Sequence, residues 1–151
     1  MGQTPVVKGK RGQSPRHMVI GAVSTEGRSY FQWTSSTVKG ADSVAFLKTL
    51  LRYWSGKLCI VWDNAPVHRC RAVRDLLCQP DVQGRLRLVA LPPYAPELNP
   101  IEAVWSWLKR RCANRAFRDA LALGEWLHRI TQWIKRYRGW VRRILRASPI
   151  H

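Results

Sequence analysis

The order hairpin, helix, strand, helix, strand, helix, helix predicts an α/β fold: a mixed sheet with an antiparallel edge and a parallel part, flanked by helices. Three observations carry this expectation. HMVIGAVS (17–24) and RSYFQW (28–33) are β-rich runs on either side of the turn TEG, which reads as a hairpin. KLCIVWD (57–63) and LRLVALP (86–92) are short continuous apolar runs, the pattern of strands buried in a parallel sheet. Around and after these runs the apolar spacing changes to that of helices.

Residues 1–16 carry four cations, three glycines and two prolines, and read as an extended basic arm. Helical spacing over 42–54 turns Val44, Leu47, Leu50, Leu51 and Trp54 to one face, with Asp42 or Ser43 able to cap. Cys59, inside its apolar run, is expected in the core. Helical spacing returns over 66–78 through Val67, Val73, Leu76 and Leu77. PPYAPELNP (92–100) is too rich in proline for a helix or a central strand. A helix is expected from Asn99-Pro100 to about Arg111, with Ile101, Val104, Trp105 and Leu108 inward. Residues 119–146 are helical and basic, with an inward stripe of Leu127, Ile130, Trp133, Ile134, Tyr137, Trp140, Val141 and Ile144. Gly124 and Gly139 mark places where this helix could break. Trp126, Trp133 and Trp140 recur every seven residues, which reads as core. The expected organisation is an arm (1–16), an α/β core (17–113) and a basic helical region (114–151).

Composition narrows the partners. The 151 residues suffice for one substantial core. No apolar run reaches the length of a membrane span, and the N-terminus has no signal-peptide pattern, so the expected location is cytoplasmic. Twenty-six Lys and Arg face nine Asp and Glu, a net charge of +17. A polyanion would neutralise that excess, and nucleic acid is the commonest one, although a membrane surface or an acidic protein fits charge alone. Lys109, Arg110, Arg111, Lys135, Arg136, Arg142 and Arg143 are the cations expected to meet DNA phosphates. Cys59, Cys70, Cys78 and Cys112 form no zinc-type spacing and read as reduced thiols.

Two carboxylates stand out by position. Asp63 ends a predicted strand, and Glu102 opens a helix after the proline-rich loop. Sites in open α/β sheets gather at the carboxyl ends of strands. Carboxylates there suit Mg²⁺ and metal-assisted phosphodiester cleavage. Structural readings stay open beside this one. Asn99-x-x-Glu102, with Pro100 at the first helical position, is a capping-box pattern. Asp63-Asn64-Ala65-Pro66 can be a turn and cap, and His68 a surface or capping histidine.

IVWDNAPVHR (60–69), followed by LPPYAPELNPIEAVWSWLKRR (91–111), resembles the DDE domain of insertion-sequence transposases in the Tc/mariner superfamily. Asn64, His68, Asn99 and Pro100 belong to the two motifs that carry the likeness. Thirty-eight residues separate Asp63 from Glu102, slightly more than is typical of that superfamily. GQTPVV near the start and FLKTLL (46–51) match its order of segments. The resemblance implies an RNase H-like fold and DNA strand cleavage and transfer with Mg²⁺ or Mn²⁺. It implies that Asp63 and Glu102 are the second and third metal-binding acids, and that transposon ends and target DNA are the partners.

In that family the first aspartate lies on a strand just before the Gly-Gln-Thr-Pro segment. Here that segment is Gly2-Gln3-Thr4-Pro5, and the only acids before Asp63 are Glu26 and Asp42. The expectation is therefore a fold lacking its first central strand, with a two-metal site only where another segment supplies the missing acid. An exposed edge on the 57–63 strand would invite pairing with an upstream transposase segment or a second copy. Three functions follow: a transposase fragment inactive alone, a catalytically dead DNA-binding remnant, or a small basic structural protein. The last explains the charge but not the motifs around Asp63 and Glu102.

Overall fold

The apolar periodicities become four strands and six α-helices among the described residues of the computed structural model, which are 17–34, 37–93 and 95–147. The strands are β1 (Met18–Val23), β2 (Ser29–Thr34), β3 (Leu58–Trp62) and β4 (Leu86–Ala90). The helices are α1 (Gly40–Tyr53), α2 (Arg71–Leu77), α3 (Pro80–Gln83), α4 (Ile101–Ala113), α5 (Ala120–Arg136) and α6 (Arg138–Arg146). The arm expected over 1–16 lies outside the described residues. None of these helices is long and apolar enough to cross a membrane.

The chain forms two compact units. The first is Val38–Asn99, where β3 and β4 pair in parallel from Leu58↔Leu86 to Trp62↔Ala90. Parallel strands need a long crossover, and residues 63–85 with α2 and α3 supply it. Its core gathers Leu47 and Leu51 of α1, Val73 and Leu76 of α2, Val82 of α3 and Leu86 of β4. Leu58, Ile60, Trp62 and Leu88 pack on it from one face of the strand pair.

The other face of that pair differs from expectation. Cys59 is exposed rather than core, and Val61 is 45% exposed. The reason is the period of two along a strand: helices of this unit cover only one face, so alternate residues turn outward. Arg85 closes the unit's seam. Its guanidinium donates to the carbonyls of Leu51, at 2.9 Å, and Trp54, at 3.3 Å, satisfying acceptors at the end of α1. The N–H of Leu58 in turn bonds the carbonyl of Arg85, at 2.6 Å. At its other end α1 is bound by Asp42, which accepts from the Lys39 N–H at 2.7 Å from inside the first turn, while Ser43 is buried.

The second unit joins Gly2–Thr37 to Pro100–His151. β1 and β2 form the expected antiparallel hairpin, in register from Met18↔Thr34 to Val23↔Ser29. Phe31 of β2 enters a core with Ile101, Val104, Trp105, Leu108 and Cys112 of α4. Leu123, Trp126, Leu127 and Ile134 of α5 and Val141 of α6 complete it. Asp119 starts α5 by accepting the Ala122 N–H at 2.8 Å. That bond, with Arg118, holds its carboxyl below the usual range.

Neither glycine breaks the C-terminal helix. The break falls at Tyr137, whose backbone (φ −95°, ψ 64°) ends α5 and starts α6. Gly124 instead gives room to the His17 ring, 3.4 Å from where a Cβ would stand. His17 Nε2 donates to the carbonyl of Ala120 at 2.9 Å.

Two turn glycines separate backbone strain from collision. Gly56 has φ +85° with open space around it, so Gly56→Ala is expected to cost about 1 kcal/mol from the left-handed conformation alone. Gly27 has φ +79°, and a Cβ there would lie 2.3 Å from the Arg138 carbonyl oxygen. Gly27→Ala is therefore expected to lower the urea midpoint more than Gly56→Ala. Equal shifts would show that the turn moves freely from α6.

Candidate functional site

The chain leaves β3 at Trp62 and turns at once. Asp63 Oδ1 accepts the Ala65 N–H at 3.0 Å, the side-chain-to-backbone bond of an Asx turn. Pro66 opens a 3₁₀ turn, Pro66–His68, which brings the histidine back over the strand end. The His68 ring stacks on Trp62, with centroids 4.3 Å apart and planes 16° from parallel. Its Nε2 lies 3.4 Å from Asp63 Oδ1, and its Nδ1 lies 3.5 Å from Ser43 Oγ on α1. Asn64 braces the corner from the other side, its amide donating to the carbonyl of Leu91 just beyond β4.

Electrostatics acts on the imidazole of the pair. Burial holds the His68 pKa below the ordinary imidazole value, and the Asp63 carboxylate only partly offsets this. The side chain of His68 is 18% exposed and that of Asp63 34%, so the carboxylate is the reachable member. A neutral imidazole with its proton on Nε2 would point it at Asp63 and accept from Ser43 at Nδ1. Asp63 thus spends Oδ1 on the turn and on His68, while Oδ2 takes no partner among the described residues. The turn reading of Asp63 is right as geometry and uses one oxygen. His68 is half-buried against Trp62, not a surface histidine.

Glu102 lies in the other unit, half-buried in the first turn of α4. Pro100 already has helical dihedrals, φ −59° and ψ −25°, and Asn99 is extended. No side-chain capping bond forms there, so Asn99 does not complete the capping box its spacing suggests. The Asn99 N–H instead closes the preceding 3₁₀ turn, Pro96–Leu98, on the carbonyl of Pro96 at 2.9 Å. Among the described residues no three His, Cys, Asp or Glu cluster as a metal cage.

The expected DNA-facing cations sit on the second unit. Arg110 and Arg111 are exposed in the last turn of α4, Lys109 is half-buried beside them, and Arg111 lies 4.6 Å over the Trp107 ring. Lys135 lies 5.1 Å over Tyr30. Arg136, Arg142 and Arg143 are exposed. Sequence reasoning missed what lies among them: Trp107, Trp133 and Trp140 form one cluster, with Trp107 stacked on Trp133 at 5.5 Å and 11°. Tyr137, expected inward, is 53% exposed because the helix breaks at its own backbone. The seven-residue spacing of tryptophans was the available signal, and core packing explains only their buried sides.

Residues 1–123 match the family described as DDE superfamily endonuclease. A search of curated proteins found no match. Among solved structures the chain is similar to the Mos1 transposase paired-end complex with left transposon end, at 20% identity and a TM-score of 0.72, over 98% of this chain and 45% of that one. It is similar to the Mos1 strand transfer complex at 20% identity and a TM-score of 0.70, over 96% and 44%. It is also similar to the catalytic domain of Mos1 mariner transposase at 20% identity and a TM-score of 0.68, over 86% and 67%. The fold is therefore that of the Mos1 catalytic domain, RNase H-like, as the motifs implied. The chain spans under half the length of the first two.

The Asp63–His68 geometry makes a prediction that can be read in chelator, without metal. The His68 imidazole should titrate below the free value of about 6.5, and Asp63→Asn should lower its midpoint further by removing the charge that holds it up. As pH falls through about 6.5 the unfolded chain takes up this proton before the folded one, so the His68 contribution to stability falls until the folded pKa is passed. Imidazole NMR titrations of both proteins check this. An unchanged or raised midpoint in the variant would mean that the carboxylate does not face the ring.

Proposed function

The chain belongs to the DDE superfamily endonucleases, and we propose that it is part of a cytoplasmic transposase catalytic domain that cuts and joins DNA strands when complete. Asp63 and Glu102 are its metal-ligating carboxylates, and transposon ends and target DNA are its substrates. The observation that carries this reading is the match over 1–123, which spans the motifs around both acids.

DDE superfamily endonucleases use divalent metal ions, generally Mg²⁺ or Mn²⁺. The donors here fit such an ion in kind: Asp63 offers a reachable carboxylate oxygen that neither the turn nor His68 occupies. They fall short in number, since no cluster of three donors exists among the described residues. When bound, the metal ions would activate the attacking oxygen and stabilise the leaving one. The chain's own part is to hold Asp63 still: the Asx turn, the Asn64 bond and the His68–Trp62 stack fix its position. Glu102 stands in the first turn of α4, in the other unit.

In this reading a third carboxylate comes from another segment, because the two acids before Asp63 are engaged. Glu26 lies in the hairpin turn, 3.4 Å from Arg28. Asp42 bonds the Lys39 N–H at 2.7 Å. The 151 residues alone are therefore expected to give no Mg²⁺- or Mn²⁺-dependent nicking of supercoiled plasmid. Nicking that Asp63→Asn abolishes would overturn the need for another segment.

DNA binding stands apart from the carboxylates and supports the remnant reading equally. From Lys109 to Arg146 twelve Lys and Arg face only Asp119 and Glu125. Arg136, Arg142 and Arg143 form no ion pair among the described residues. Cations so placed suit phosphates and carry little base reading. Changing these three arginines together to Gln is expected to weaken binding to unrelated duplexes alike. It should also flatten the log–log salt dependence, by about 0.9 for each phosphate that is no longer neutralised. Titrations at several salt concentrations decide it. An unchanged slope would put the phosphates elsewhere, and a weakening confined to one duplex would show base reading.

A further inference from the structure

We propose that the groove along α5 is a site for an unpaired nucleotide, which stacks its base on Trp133 and Tyr137 and sets its flanking phosphates on Arg129 and Arg136. The inference rests on the DNA reading above and adds to it a single-stranded or unstacked substrate, recognised away from the carboxylates.

The groove holds about 440 Å³, within the range of small-ligand clefts, and is lined by His128, Arg129, Gln132, Trp133, Arg136 and Tyr137. It is open to solvent. Its platform is preformed. Trp133 is backed by Trp107, stacked at 5.5 Å and 11°, and flanked by Trp140 at 5.5 Å, so its ring cannot swing freely. Tyr137 lies 4.6 Å from Trp133 and is 53% exposed, because the break between α5 and α6 turns it out of the core. A large exposed ring held beside a fixed one is a stacking surface, and aromatic platforms of this kind bind bases without regard to sequence.

Charge selects the occupant. Arg129 and Arg136 are exposed on the groove's edge and make no ion pair among the described residues, so their charge faces the groove unneutralised. A second copy of the chain carries the same net +17, and like-charge repulsion opposes its approach. A strand with phosphates at intervals and flat bases between them complements both the arginines and the rings. His128 and Gln132 add polar groups that can meet a base edge. Paired duplex hides its base faces, so this site differs in kind from the phosphate contacts of the arginines on α6.

The test uses the full chain in chelator, so that no metal-dependent step intrudes. Three fluorescein-labelled probes are titrated by anisotropy: an oligothymidylate, an abasic strand of equal length, and a hairpin duplex. Wild type should bind the oligothymidylate more tightly than the abasic strand. Tyr137→Ala should weaken oligothymidylate binding at least about five-fold, the lower end of one base stack, and leave the other two probes within about two-fold. Tyr137→Phe should bind like wild type, and circular dichroism should show both variants folded. Equal weakening on all probes, or none, would overturn the stacking site while leaving DNA binding intact. Failure of wild type to bind any probe would remove the DNA reading itself and this inference with it. A wild-type dimer in sedimentation that Tyr137→Ala dissociates would assign the groove to a second copy instead.

Discussion

The unit built from Gly2–Thr37 and Pro100–His151 must hold together against its own charge. Its described residues carry thirteen Lys and Arg but only four Asp and Glu. Four carboxylates cannot neutralise thirteen cations, so ion pairing cannot be what joins α4, α5 and α6. Apolar contact has to do it. Leu108, Leu127, Ile134 and Val141 are almost wholly buried, and the Trp107–Trp133–Trp140 cluster ties one residue from α4, one from α5 and one from α6. Aromatic pairs of this geometry add about 0.5–1.5 kcal/mol each beyond the area they bury. Arg111 over Trp107 and Arg115 over Trp126 show where the cations go: onto the ring faces, where the quadrupole attracts them and water still reaches the charge.

Val38–Asn99 is organised differently. Nine cations face five acids there, and polar side chains act on particular backbone groups. Arg85 satisfies carbonyls at the end of α1, Asn64 the carbonyl after β4, and Asp63 the N–H of its own turn. Each replaces a hydrogen bond that the backbone would otherwise owe to water, and each fixes a chain direction. The Asp63 corner is the clearest case. A strand end, a turn and a buried imidazole all converge on one oxygen of the carboxylate and leave the other outward.

Local features were legible in the sequence, and features set by distant packing were not. The hairpin around TEG, the run ending in Asp63 and the helix after Pro100 are written in spacing and turn chemistry, and they formed where expected. Asp63 and Glu102 stood out because each sits at the boundary of such an element. The outward face of β3 was not legible, since a continuous apolar run looks the same whether one face is covered or two. Nor was the joining of β1 and β2 to helices about a hundred residues later, which depends on Phe31 meeting Trp105 at 5.9 Å. The His68–Trp62 stack needed the exact course of the 3₁₀ turn. Tyr137 failed for a further reason: helical periodicity assumes an unbroken helix, and the break occurs at that residue.

In the proposed function, catalysis and grip rest on different physics. A metal site fails when a single ligand is removed, because the remaining oxygens neither neutralise nor orient the ion. Phosphate binding degrades by increments, one cation at a time, because each cation acts through the same counterion release. The cations concentrate in one unit and Asp63 stands in the other, so loss of the carboxylate chemistry leaves the basic surface as it was. The aromatic cluster adds a third dependence. Its buried sides hold the charged helices together, and its exposed edge lies in the groove with Arg129 and Arg136. On the proposal of a nucleotide site, a ring such as Trp133 is constrained twice, by stability within and by the ligand without. That explains why a residue facing the groove is still a tryptophan stacked on another tryptophan: a smaller side chain could line the groove, but it could not also hold α5 to α4 against the repulsion of their cations.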